Sequence, residues 1–257
     1  MNNIYIIGNW KEYPETLKEA AKLSAAIGKV SIGKVTVGKT AAKTTISAIV
    51  CPPFPFLQTV GAGIKKGKYI LGAQDLSPMM VGPYTGEVSP KALASLGVKY
   101  AIVGHSERRA LGESNDVVLM KLKAAHAAGI RPILCVGEHD RTDTDHSHAD
   151  VREQLMVLEG LSKKDAANTI IAYEPVWAVG AKAAATPEDA REMRIYIQKV
   201  ISDMLDEKAM KSVAILYGGS VTNKNVKEFV GVAGMHGVLV GRASLDAKSF
   251  VSIINSF

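Results

Sequence analysis

Four stretches of the chain gather the residue types that acid–base chemistry on an anionic substrate requires. Gly104–Arg109, GHSERR, places one imidazole, one hydroxyl, one carboxylate and two guanidinium groups within six residues. A histidine at a helix start faces the positive end of the helix dipole, which disfavours imidazolium. A neutral His105 there can donate a hydrogen bond to a substrate oxygen. A purely structural ion-pair cluster fits the same residues. Ala172–Gly180, AYEPVWAVG, closes an apolar run on Glu174, a carboxylate set against apolar walls and so suited to a general base. Pro175 stiffens the exit, and residues 175–185 are rich in small residues and have the length of a lid. A capping glutamate before a long loop reads the same way.

Gly8–Lys11, GNWK, offers Asn9 and Lys11 to hold an anion; a surface lysine beside a capping asparagine is the plainer alternative. The fourth is a pair, Tyr217–Ser220, YGGS, and Gly237–Ser244, GVLVGRAS, whose glycines let backbone N–H groups approach a phosphate. A short helix starting near Arg242 would aim its N-terminus at that anion. His126 falls inside a helical pattern and reads as a packed or surface histidine. His236 has no charged companions and is given no role.

These stretches need elements that bring them together. Eight short apolar, β-branched runs span the chain: Ile4–Ile7, Thr45–Cys51, Tyr69–Ala73, Tyr100–Val103, Pro132–Val136, Thr169–Tyr173, Val213–Tyr217 and Gly237–Val240. None alternates cleanly, as expected of strands buried on both faces. Helical patterns lie between them. In Thr186–Leu205 the residues Ala190, Met193, Ile197, Val200, Ile201 and Met204 form one apolar stripe behind a TPED start that can cap. A second helix begins near Ser114 and stops at Gly129, and a third runs from Pro14 to Ile27 and stops at Gly28. Eight strand–helix units are the number that closes a parallel (β/α)8 barrel, and 257 residues suit one such α/β domain over 1–257. An open doubly wound sheet fits the alternation too, but it needs fewer units or a domain break, and no linker marks one. In a barrel the four stretches fall at the C-terminal strand ends, where active sites form.

Composition narrows the class further. With 47% hydrophobic residues the chain is too apolar for disorder, and no run of about 18 apolar residues can span a membrane. Cys51 and Cys135 sit in apolar runs and read as buried free thiols in a reducing compartment. The start MNNIYIIGNWK has no targeting features, so a cytoplasmic protein is expected. The net charge of +6 permits anionic partners without choosing among them. Residues 28–43 carry four lysines and no acid, but no interleaved aromatics for base stacking; a solvated connection is favoured over a nucleic-acid or lipid arm. Residues 138–150 mix three histidines with five carboxylates at no metal-ligand spacing and read as a flexible acidic loop.

Taken in order, GNWK, YAIVGHSERR, AYEPVWAVG, LYGGSV and GVLVGRASL resemble the triosephosphate isomerase family, as do CPPF (Cys51–Phe54), GAQD (Gly72–Asp75), YTGEVS (Tyr84–Ser89) and LCVGE (Leu134–Glu138). The resemblance covers essentially the whole chain. It implies a TIM barrel that interconverts dihydroxyacetone phosphate and D-glyceraldehyde 3-phosphate through an enediol(ate), in glycolysis and gluconeogenesis, with no metal or other cofactor. It implies Glu174 as the base, His105 as the group that polarises the carbonyl and shuttles protons between the oxygens, and Lys11 and Asn9 as substrate holders. Glu107 would sit behind Lys11, and Ser106 near the base. The phosphate would meet N–H groups of Gly180, Ser220, Gly241 and Arg242. The lid would comprise Pro175, Val176, Trp177, Ala178, Val179, Gly180, Ala181, Lys182, Ala183, Ala184 and Ala185, with Val179 and Leu239 clamping Glu174. A homodimer is implied, with Thr85 entering the partner's first loop at Tyr13.

The chain departs from the family at Glu12 and Tyr13, at GAKAAAT in the lid, and in the shortened ALGE segment. The departures in the lid and first loop motivate an alternative, a paralogous aldose-ketose isomerase for a tetrulose phosphate. A non-catalytic binder using 28–43 is the reading from another class; the complete set Asn9, Lys11, His105 and Glu174 argues against it. Neither nucleic acid nor membrane is expected as a partner.

Overall fold

The computed structural model describes residues 3–29, 45–64, 69–141, 144–178 and 185–257. Eight parallel strands close a barrel in chain order: β1 Asn3–Asn9, β2 Thr45–Cys51, β3 Tyr69–Ala73, β4 Tyr100–Val103, β5 Arg131–Val136, β6 Ile170–Tyr173, β7 Ile215–Tyr217 and β8 Gly237–Val240. β1 pairs with β2 on one side and β8 on the other, from Tyr5 against Gly237 to Gly8 against Val240. Each expected strand is present, most within a residue at either end.

Their unbroken apolar character has a simple cause. Tyr5, Ile7, Ile49, Cys51, Ile102, Ile133, Cys135, Ile170, Ala172, Leu216 and Leu239 fill one core. The intervening Ile4, Ile6, Ala48, Val50, Ala101, Val103, Leu134 and Ile171 pack into a second with the helices. Neighbouring side chains of a strand point to opposite faces, and here both faces are dry. Cys51 and Cys135 are buried and free, and burial pushes both thiols up, so they remain protonated and serve as packing.

Local signals set most helix ends. Thr186 caps the helix Pro187–Met204, where Asp189 completes the capping box. Ser114 caps Asn115–Ala127, and Gly129 follows in the left-handed region at φ +70°. Two expectations need correction. The first helix starts at Leu17 and not at Pro14, because a reciprocal Thr16–Glu19 capping box places the boundary there. Residues 138–150 are not a loop throughout, since helix Thr144–Leu155 takes up their second half. Ser147, Val151 and Leu155 give that helix a buried stripe at four-residue spacing, and His148 stacks on Tyr196 at 3.9 Å. Of the lysine-rich 28–43 segment, residues 30–43 lie outside the described residues.

His126 and His236 are both packed, which decides between the two readings left open for the first. His126 Nε2 meets Thr169 Oγ1 at 3.1 Å, and His236 Nδ1 accepts the Ile215 N–H at 3.1 Å. Burial lowers the basicity of both below the ordinary value of 6.5. Below that value the unfolded chain binds protons that the folded chain refuses, so their contribution, full above about pH 6.5, is lost as pH falls. We expect the melting temperature to drop between pH 7 and pH 5. His236→Asn keeps an acceptor for Ile215 but cannot titrate, and should flatten that slope. An equal slope in the variant would contradict this assignment.

Candidate active site

The C-terminal strand ends open into a cleft of about 810 Å³. Asn9, Lys11, His105, Ser106, Glu174, Ser220, Gly241 and Arg242 all line it. They come from the exits of β1, β4, β6, β7 and β8, so barrel closure gathers residues up to 233 positions apart in the chain.

At the centre, His105 Nε2 lies 3.1 Å from Glu174 Oε1, with the two side chains only 9% and 3% exposed. The proton on the imidazole is assigned by its other nitrogen. Nδ1 accepts the Glu107 backbone N–H at 3.2 Å, at the first turn of helix Ser106–Ala110. A ring whose Nδ1 is an acceptor carries its proton on Nε2, facing the cleft. The second Glu174 oxygen accepts the Ser106 N–H at 3.2 Å, so Ser106 lies beside the carboxylate as expected. The glutamate is fixed at its root as well. Its N–H donates to Val136 O at 2.8 Å, and a Cβ at Gly218 would fall 2.8 Å from its Cγ, so only glycine leaves it room.

Asn9 ends β1 almost fully buried. Its Oδ1 accepts the Lys11 N–H at 3.0 Å. Lys11 itself sits at φ +54°, a left-handed conformation that costs a non-glycine residue on the order of 1–3 kcal/mol. That turn carries its ammonium across the cleft to the Glu107 carboxylate. Glu107 thus sits behind Lys11, as the resemblance implies. On the opposite side, Ser220, Gly241 and Arg242 edge the cleft. A single 3₁₀ turn, Arg242–Leu245, begins there where a short helix was expected.

The structural alternative for GHSERR holds for part of the motif. Arg108 pairs with Asp75 at 2.8 Å and Glu113 at 2.7 Å, and buried Lys121 joins the same two carboxylates. Arg109 donates to Gly104 O and Asn115 Oδ1. These arginines hold the loops, while His105, Ser106 and Glu107 face the cleft side.

Of the expected lid, Pro175 follows the glutamate, Val176–Ala178 form a 3₁₀ turn, and Ala185 precedes the Thr186 cap. Val179, Gly180, Ala181, Lys182, Ala183 and Ala184 lie outside the described residues, and with them the Gly180 phosphate contact and the Val179 half of the clamp. Leu239, the other half, lines the cleft. One positioning residue escaped the sequence reading. Glu138 is fully buried at the exit of β5 and accepts from Tyr173 Oη and Trp177 Nε1, both at 2.8 Å, while its carbonyl takes the Val176 N–H. It fixes the chain just after Glu174. The signal that picked Glu174, a carboxylate closing an apolar strand, was present at Glu138 as well.

Tyr13 is 54% exposed and Thr85 lies in an exposed loop. Among the described residues no cluster of His, Cys, Asp and Glu has the arrangement of a metal site.

Comparison with known proteins agrees with this geometry. The family profile described as Triosephosphate isomerase matches residues 4–257. A triosephosphate isomerase of Carboxydothermus hydrogenoformans is 38% identical over 257 residues, covering 99% of this chain and 98% of the relative. That of Chloroflexus aurantiacus is 41% identical, covering 97% of each. One from Dehalococcoides mccartyi is 41% identical over 254 residues, covering 98% of this chain and 96% of the relative. A barrel that sets a glutamate against an Nε2-protonated histidine, matched to one profile from end to end, places the chain in the triosephosphate isomerase family.

Proposed function

We propose that the chain, as one catalytic domain over 1–257, interconverts dihydroxyacetone phosphate and D-glyceraldehyde 3-phosphate by proton transfer through an enediolate. The observation that carries the reading is the 3.1 Å contact between Glu174 Oε1 and His105 Nε2 at the mouth of the barrel. A substrate inserted between them meets a carboxylate at its carbon and an N–H at its oxygen.

Glu174 takes the proton from C1 of dihydroxyacetone phosphate. The C–H electron pair becomes the C1–C2 double bond, and the carbonyl pair moves onto the C2 oxygen. His105 Nε2–H stabilises that oxygen as charge develops and passes protons between the two oxygens. Glu174 then returns its proton to C2, which leaves the aldehyde at C1. Lys11 supplies a positive charge beside the enediolate, and Asn9 orients the substrate oxygens. Backbone N–H groups of Gly180, Ser220, Gly241 and Arg242 hold the phosphate. Residues 175–185 act as the lid that keeps water from the intermediate. No step needs a metal or cofactor. Nothing among the described lining residues favours a four-carbon ketose phosphate over the triose.

The working form is a homodimer in which the exposed Thr85 loop of one copy reaches the Tyr13 region of the other. The compartment is the cytoplasm, consistent with two free buried thiols. No described helix is long and apolar enough to cross a membrane. A coupled assay with glyceraldehyde 3-phosphate across a protein dilution series tests both claims. We expect turnover that falls per subunit as the dimer dissociates. Absence of turnover at micromolar protein would refute the activity, and constant specific activity in a monomer shown by light scattering would refute the dependence on the dimer.

A further inference from the structure

Lys11 occupies a backbone conformation that no unbranched L residue prefers, and its role depends on that turn. What holds the turn is found on a different strand. Gln74 follows β3, and its Nε2 donates to Lys11 O at 2.8 Å and to Cys51 O at 3.0 Å. The Trp10 N–H donates to the same Cys51 carbonyl at 3.1 Å. One amide nitrogen therefore spends both its hydrogens tying the exit of β1 to the exit of β2. Together with the Asn9 Oδ1 bond to the Lys11 N–H at 3.0 Å, it pins both sides of the left-handed residue. The contact to Lys11 spans 63 residues of sequence.

We propose that Gln74 is a positioning residue that sets the Lys11 ammonium through the Lys11 carbonyl without touching substrate. The inference rests on the role given above to Lys11. Gln74→Met keeps the length of the side chain and removes both donors, leaving two carbonyls unpaired. Released from its clamp, Lys11 relaxes out of the left-handed region and its charge moves away from the enediolate. Misplacement by about 1 Å is enough to cost about 10²-fold.

The test is a double-mutant cycle on the full-length protein, read as calorimetric affinity for 2-phosphoglycolate, an anion with the charge and shape of the enediolate phosphate. Gln74→Met should weaken binding and lower kcat/KM by up to about 10²-fold. In a Lys11→Met background the same change should leave the affinity as it was, because the group it positions is gone. An equal loss of affinity in both backgrounds would overturn the proposal and mark Gln74 as merely structural. Unchanged affinity in Lys11→Met alone would overturn it too, by removing the role of Lys11 on which it rests. Gln74→Glu, of the same shape and with two acceptor oxygens facing two carbonyls, provides a second variant should Gln74→Met fail to fold, and the same pattern is expected of it.

Discussion

Glu174→Gln should lower kcat by about 10²–10⁴-fold, the range a positioned general base contributes, with the melting temperature close to that of the parent. The amide is isosteric with the carboxylate, so the packing around this 3% exposed side chain survives. Its oxygen can still accept the Ser106 N–H. What it cannot do is take a proton from carbon. Glu174→Asp keeps the charge but withdraws it by one methylene from a group held at its root by Val136 and crowded by Gly218. It should therefore also lose turnover by orders of magnitude, because a base must reach hydrogen-bond distance of the proton it removes. Steady-state kinetics with thermal unfolding separates the two effects. Parent-like turnover in Glu174→Ala would end the assignment of the base.

His105→Gln carries the second large effect. The present imidazole is committed twice, with Nδ1 accepting the Glu107 N–H and Nε2–H aimed at the cleft. A glutamine can place an N–H in the cleft or an acceptor at the helix turn, but it cannot satisfy both from the same plane, and it cannot relay a proton between two oxygens. Loss of a preorganised donor to a developing oxyanion costs about 10²–10³-fold in kcat. The expected signature is a fall in kcat with little change in KM, because the charge that His105 meets exists only past the ground state. A rise in KM with kcat retained would show that His105 merely binds substrate.

Much of this arrangement was legible in the sequence, and for identifiable reasons. Strands such as Gly237–Val240 and Tyr100–Val103 stand out because burial on both faces leaves no polar interruption. Glu174 and His105 stand out because each is a titratable group at the end of such a run. The helix at Thr144–Leu155 was hidden by its composition. Its first two turns are crowded with Asp and His, and the buried position that begins its stripe is Ser147, which no hydrophobic pattern registers. The start of the first helix was read three residues early, because the Thr16–Glu19 capping box outweighs the helical look of the residues before it. Arg108 belongs to a charge network completed by Asp75, Glu113 and Lys121, three residues that no local motif connects. Gln74 lies in the family-like GAQD segment, but its role was invisible for a similar reason. Its two acceptors are backbone carbonyls 63 and 23 residues away, and only the folded barrel brings them within reach.

The central claim is that a single carboxylate moves a proton between two carbons through an enediolate. It is tested most directly by running dihydroxyacetone phosphate in D₂O with the product trapped, and reading C2 of glyceraldehyde 3-phosphate by NMR. The proton held on Glu174 either returns to C2 or exchanges before it does, so the account predicts hydrogen carried over from C1 together with some solvent deuterium at C2, both formed at a rate that collapses in Glu174→Gln. Product formed, or label taken up, at the parent rate in Glu174→Gln would contradict it.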